Sequence, residues 1–116
     1  MSRPHIDSYA FGYIIIDGET YEADLILLPD RIVEGWWRDE GHLLQTADLE
    51  NVFDAEPDLL VVGQGAYGRM RIADQVRRAA KEANIELVAL PTDEAVERYN
   101  ALPEDQRAVA ALHLTC

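Results

Sequence analysis

The chain is poor in the residues that carry most recognisable chemistry. It has one cysteine, Cys116, among 116 residues, so no internal disulfide can form, and a reducing, cytoplasmic setting is expected. It has one lysine, Lys81; with nine arginines that makes ten cations against twenty-two acids, a formal charge of −12. Binding to duplex nucleic acid rests on cations that neutralise phosphates. That charge therefore argues against nucleic acid and against an anionic membrane surface as partners. No apolar run approaches the length of a membrane span, and the opening "MSRPHIDSYAF" lacks the apolar core of a secretory signal. There is no G-x-S-x-G and no H-E-x-x-H, so neither a nucleophile elbow nor a zinc-protease helix is present. A set such as Ser8, Asp39 and His42 can be picked out, but nothing in the sequence positions it.

What is present reads as a soluble α/β chain. The length suits one domain over residues 1–116 with a core of its own. "YAFGYIII" and "TYEADLILL" flank Asp17-Gly18, a strong two-residue turn signal, so the first 28 residues read as a β-hairpin. Its second strand alternates Tyr21, Ala23, Leu25 and Leu27 against Glu22 and Asp24, which fall on the wet side. "RIVEGWW" is a short third strand, and "RDEGHLLQ" a polar loop. Thr46 is expected to cap a short helix over 47–54. "DLLVVG" is a continuous apolar strand of the kind covered on both faces.

The alternation then continues. "ADQVRRAAKEAN" is a helix with Ile72, Val76, Ala80 and Ala83 inward. "IELVAL" is a second buried strand. Thr92 is expected to cap a helix over 93–102 whose inner side is Val96, Tyr99 and Leu102. "RAVAALHLTC" closes the chain as a strand. The β-α-β-α-β order argues a three-layer fold, with the N-terminal strands as an antiparallel ribbon.

Gly63, Gly65 and Gly68 spell G-x-G-x-x-G after the apolar strand. In a dinucleotide site the third glycine sits in a helix that starts at once, and an acid ends the following strand. Here "RMRI" intervenes before the helical pattern, and the next strand ends Leu90-Pro91. The glycines are therefore expected to serve backbone conformation and close packing, with no nucleotide cofactor. Metal is not expected either: His113 and Cys116 form H-x-x-C, a spacing that points to opposite faces of a strand. His113 is expected to be a half-buried strand residue. The adjacent Trp36 and Trp37 should face opposite ways, one into the core and one outward. Trp37-Arg38, with His42 nearby, is then the best candidate contact patch.

Taken in order, "FGYIIIDGETYEADLILLP", "WWRDEGH", "LLVVGQGAYG", "PTDEAVERYNAL" and "ALHLTC" resemble the adipogenesis-associated Mth-domain family, a domain of unknown function with a mitochondrial complex I assembly factor among its relatives. The resemblance runs from about Ile6 to Cys116. It implies a β-ribbon packed on a central mixed sheet of about five strands, one of them antiparallel, with helices on the other side. It implies no established enzyme activity and no catalytic residues. The positions matching its motifs are Trp37, Arg38, His42, Gly63, Gly65, Thr92, Tyr99, Asn100, His113 and Cys116.

Three functional expectations follow. The first is a non-catalytic interaction or assembly protein with a protein partner and a contact patch drawn from Trp37, Arg38, His42, Gly63, Gly65, Tyr99 and Asn100. The second is a small-ligand or anion-binding protein, or an enzyme, with its cleft at the Gly63–Gly68 loop. The third is a homodimer formed through the hairpin edge or the tryptophan face.

Overall fold

The structure, a computed structural model, describes residues 3–38 and 40–115. Four strands come from the region read as one hairpin: β1 (Ile6–Ala10), β2 (Tyr13–Ile16), β3 (Glu19–Tyr21) and β4 (Leu25–Leu27). Asp17 and Gly18 both hold positive φ, 48° and 83°, as the expected tight turn requires. A second turn, at Phe11-Gly12 with Gly12 at φ 88°, splits the first apolar stretch. The result is an antiparallel ribbon in the order β1-β2-β3. The chain then leaves the ribbon through Glu22-Ala23-Asp24 and enters the central sheet as β4.

The central sheet adds β5 (Ile32–Glu34), β7 (Leu59–Gln64), β9 (Glu86–Leu90) and β10 (Ala108–His113), in the order β5-β4-β10-β7-β9. β10, β7 and β9 run parallel; β4 is antiparallel to both its neighbours. Two very short strands, β6 (Leu43–Leu44) and β8 (Arg71–Ile72), pair in parallel beside it. The period-2 alternation of the central strands sorts their side chains into two cores. Leu59, Val61, Ala108, Ala110 and Leu112 face the ribbon's Ile6, Ile14 and Ile16. Leu60, Val62, Val109 and Ala111 face the other way, toward Leu49, Val52, Val76 and Ala80.

The second core is roofed by a 3-10 turn (Thr46–Leu49), α1 (Glu50–Ala55) and α2 (Asp74–Glu82). α3 (Thr92–Asn100) packs Ala95, Val96 and Tyr99 into the first core, so it shares the ribbon's layer. The three layers are those expected, with α3 added beside the ribbon. Small residues make this close packing feasible: β10 is Ala-Val-Ala-Ala-Leu-His, and all six are buried.

Several local expectations change. Gln45, not Thr46, stands before the 3-10 turn, where it shares a reciprocal capping box with Asp48. Ala83 is exposed at the end of α2, because that helix stops at Glu82. β9 is an edge strand, partly covered along Leu87–Leu90, since nothing follows it in the sheet order. β10 ends at His113, and Cys116 lies outside the described residues. No helix among the described residues is long and apolar enough to cross a membrane.

Candidate functional site

Parallel strands deliver loops to their carboxyl ends, and three segments converge where β10 ends. Asp24 occupies the step between ribbon and sheet. Its Oδ1 accepts the Leu114 N–H at 2.8 Å, and its Oδ2 lies 2.7 Å from His113 Nδ1 and 2.9 Å from Arg38 Nη2. Both donors therefore converge on one carboxylate oxygen. The short contact has the Nδ1–H of His113 donating to the carboxylate. Burial pushes the Asp24 carboxyl upward. The hydrogen bonds from His113 and the Leu114 amide, with the Arg38 guanidinium beside them, outweigh it and hold the pKa below the usual carboxylate range.

Arg38 is 8% exposed despite its charge. Its guanidinium lies 4.7 Å from the centre of the Trp36 ring, and Nη2 also donates to the Gly41 carbonyl at 3.2 Å. Trp36 is anchored in turn by Nε1 donating to the Asp48 carbonyl. So Trp36 goes into the core, as expected of one of the pair, and Trp37 stands 79% exposed. The His42 ring meets the His113 ring edge-on with centres 6.0 Å apart. His113 itself is fully packed at 6% exposure, more than the half-burial expected. Its Nε2 and the Arg38 Nη1 are buried without partners among the described residues.

The glycine loop closes over this cluster. Gly63 lies within β7, where a Cβ would stand 2.9 Å from both Leu112 Cδ2 and Thr92 Oγ1. Gly65 has φ 95°, and a Cβ there would stand 2.8 Å from His113 Cδ2 and 2.7 Å from the Thr115 carbonyl. These glycines are small so that β10 and α3 can press against the strand's exit. Thr92 does not cap α3. Its hydroxyl donates to the His113 carbonyl at 2.6 Å and accepts the Gly65 N–H at 2.9 Å, fastening β7, β10 and α3 together. The Ala66 amide donates to Thr115 O, the Gly68 amide to Gly65 O and the Met70 amide to Gln64 O. These bonds, with Gly65 on Thr92, use amides that a phosphate would need, and α2 begins only at Asp74.

The structure brings Arg38, His42, Gly63 and Gly65 to one place, with Trp37 next in sequence, and puts Tyr99 and Asn100 elsewhere. Asn100 bridges the Ile6 backbone, donating to its carbonyl at 2.7 Å and accepting its N–H at 3.3 Å. The Tyr99 hydroxyl donates to the Pro4 carbonyl, and burial pushes that phenol up to about 12 despite Arg3 over its ring. Both residues pin the ribbon to the far end of α3. The Ser8, His42 and Asp39 set and the H-x-x-C pair include Asp39 and Cys116, which lie outside the described residues. Among the described residues no group of three His, Cys, Asp or Glu is arranged to hold a metal ion.

Sequence reasoning passed over Asp24, Phe11 and Tyr67. Among the described residues the exposed large apolar side chains are Phe11 (54%), Tyr13 (43%), Trp37 and Tyr67 (66%). Each adjoins in sequence a residue bonded to the end of β10. Gly12, between Phe11 and Tyr13, donates its amide to Leu114 O; Ala66, before Tyr67, donates to Thr115 O; Arg38, after Trp37, sits 3.1 Å from His113 Nδ1. The Phe11 and Tyr67 rings lie 6.2 Å apart, and Arg69 stacks over Tyr67 at 5.4 Å. The readable signal is an aromatic residue directly before a turn glycine, Phe11-Gly12 and Tyr67-Gly68.

This architecture recurs in solved structures. A conserved hypothetical protein from Pyrococcus horikoshii is 27% identical, with TM-score 0.82 over 96% of this chain and 98% of that one. A protein from Rhodopseudomonas palustris is 34% identical, with TM-score 0.72 over 92% of this chain and 80% of that one. A Bordetella pertussis protein described as a Mth938-like domain shares the fold at 19% identity, with TM-score 0.60 over 96% and 85% of the two chains. The model of a family of proteins of unknown function (DUF498/DUF598) matches residues 6–114, and the chain belongs to that family.

Proposed function

We propose that this chain is a non-catalytic interaction domain whose partner docks on the rim around the end of β10. One observation carries the reading: the exposed aromatic side chains, Phe11, Tyr13, Trp37 and Tyr67, all spring from segments fastened to residues 113–115. Exposed aromatics beside arginine are the usual anchors of protein interfaces. The polar cluster beneath supports the same reading. Asp24, Arg38 and His113 bond to one another and to backbone, and His113 Nε2 is sealed from solvent. Such a cluster fixes the geometry of a rim more readily than it turns over a substrate. The adipogenesis-associated Mth-domain family that the sequence resembles has a mitochondrial complex I assembly factor among its relatives, which supports an assembly role.

The test is affinity capture of the tagged chain from cells of its source, followed by titration of the purified partner. A stoichiometric partner is expected, and Trp37→Ala and Tyr67→Ala should each weaken its binding about tenfold or more. No stoichiometric partner, or equal binding by both variants, defeats the proposal.

A further inference from the structure

The ribbon has an outer face as well as the inner one that packs on the core. Ile14 and Ile16 point inward, while Tyr13, Thr20 and Glu22 are exposed. Phe11, Gly12, Tyr13, Thr20 and Glu22 line an open trough of about 510 Å³. The Tyr67 ring lies beside it, its centre 6.2 Å from that of Phe11. At Gly12 a Cβ would meet nothing within 4 Å, so the floor there is clear.

From this we infer that the trough receives an extended, basic segment of a partner protein, its proline or aliphatic side chains between the rings and an arginine or lysine at Glu22. The inference rests on the interaction reading above and adds the chemistry of the partner. The shape argues for an extended occupant. An open trough lined by five residues suits a single extended chain better than a helix about 10 Å across. Exposed aromatic rings lining a groove are the usual receivers of polyproline II segments, which are ordered before they bind.

The charge argues for a basic one. The chain carries −12 overall, and the trough's own charged wall residue is Glu22. On the other side of the hairpin, Asp93 approaches Tyr9, whose hydroxyl is pushed up first by burial and then by that charge. The nearby cation, Arg69, is already engaged on the Tyr67 ring. Guanidinium on aromatic ring is thus chemistry this rim already uses, and the Phe11 and Tyr13 rings offer the same to a partner. Single-stranded nucleic acid also stacks on such rings, but its phosphates would meet a field of their own sign. A second copy of this chain brings the same −12.

The experiment is an NMR titration of the full, nitrogen-15-labelled chain with a short synthetic peptide of repeated Arg-Pro-Leu-Pro units. Parallel titrations use the same peptide with Glu for Arg, and oligothymidylate. Amide shifts confined to Phe11, Gly12, Tyr13, Thr20, Glu22 and Tyr67 are expected with the arginine peptide. Glu22→Lys and Phe11→Ser, both at exposed positions, should each weaken it about tenfold. Absence of shifts at millimolar peptide, equal response to the glutamate peptide, or a preference for oligothymidylate overturns the inference. So does a dimer in sedimentation whose interface shields these same amides. If a cellular partner is captured through Trp37 and Tyr67 but is indifferent to Glu22→Lys and to the peptide, the interaction reading stands and this one falls. If the peptide binds as expected and no cellular partner is captured, the trough's chemistry holds and the interaction reading fails.

Discussion

The central sheet has two ends, and each is fastened by an arginine, half-buried Arg3 at one and buried Arg38 at the other. At the amino ends of the parallel strands Arg3 donates to the carbonyls of Leu102, Pro103 and Gln106. Nearby, Asn100 bridges Ile6, and Arg107 donates to the carbonyls of Ala55 and Glu56. Side chains there serve backbone carbonyls left over by helix ends and turns. At the carboxyl ends Arg38 instead serves a carboxylate that also holds a histidine. The first end is a clasp of permanent charges and neutral acceptors. The second contains titratable groups and is ringed by exposed aromatics. A polar network costs more to build from mutually dependent ionisable groups than from arginine on carbonyls.

The sharpest way to break this contrast is Asp24→Ala. It strands Arg38 and His113 in the interior without their shared acceptor, and about 3–5 kcal/mol of stability should be lost in urea denaturation. Asp24→Asn keeps an acceptor for the Leu114 amide and should cost less. The same residue gives the carboxyl end an acid sensitivity. Its folded pKa is depressed, so its stabilisation is complete above the unfolded value of about 3.9 and disappears as pH falls through the folded one. The wild type should therefore lose stability more steeply in that acid range than Asp24→Asn does. Superimposable pH profiles would show that Asp24 does not carry the linkage.

Next in size is a comparison between two glycines of similar backbone. Gly65→Ala adds a Cβ at φ 95° within 2.7 Å of a carbonyl oxygen and 2.8 Å of the His113 ring, which should cost about 2–4 kcal/mol. Gly12→Ala, at φ 88° with nothing near, should cost about 1 kcal/mol. Equal losses in thermal or urea unfolding would mean that packing on His113 is not what constrains Gly65.

The carboxyl end was also the less legible in sequence. Runs such as "DLLVVG" and the Asp17-Gly18 turn announce themselves through periodicity and turn chemistry, because both depend on neighbours along the chain. Asp24 does not. Alternation places it on a wet face beside Glu22, yet it leaves the ribbon and its side chain is only 19% exposed, held by residues 14 and 89 positions away. Thr92 misleads in the same way. A threonine at a helix start reads as a cap, but its hydroxyl is taken by His113 and Gly65. Tyr99 and Asn100 share a helix with Thr92, yet at roughly 1.5 Å per residue they end about 10–12 Å from it, at the other end of the sheet. Sequence proximity to a site residue cannot tell one end of a helix from the other.

That separation makes a smaller prediction. Asn100→Ala removes two bonds to Ile6 and should cost about 1 kcal/mol, loosening the ribbon's first strand. Amide exchange of Ile6 should quicken while that of Leu114 does not. Binding at the carboxyl rim should be unchanged; a matching loss of binding would show that the two ends are coupled through α3.

The smallest stability effect belongs to Trp37→Ala. With 79% of the residue in water, little apolar area returns to solvent on its removal, and unfolding should shift by no more than about 0.5 kcal/mol. Partner binding should fall about tenfold or more in the same variant. A residue that matters to binding while contributing almost nothing to folding is held exposed against the hydrophobic effect. Its neighbour Trp36 provides the internal control. That ring is 8% exposed, lies under Arg38 and donates to Asp48, so Trp36→Ala should cost about 3–5 kcal/mol. Two adjacent tryptophans would then divide cleanly, one into folding and one into recognition. If Trp37→Ala instead destabilises the chain as Trp36→Ala does, the ring is covered in solution and the aromatic rim is not a docking surface.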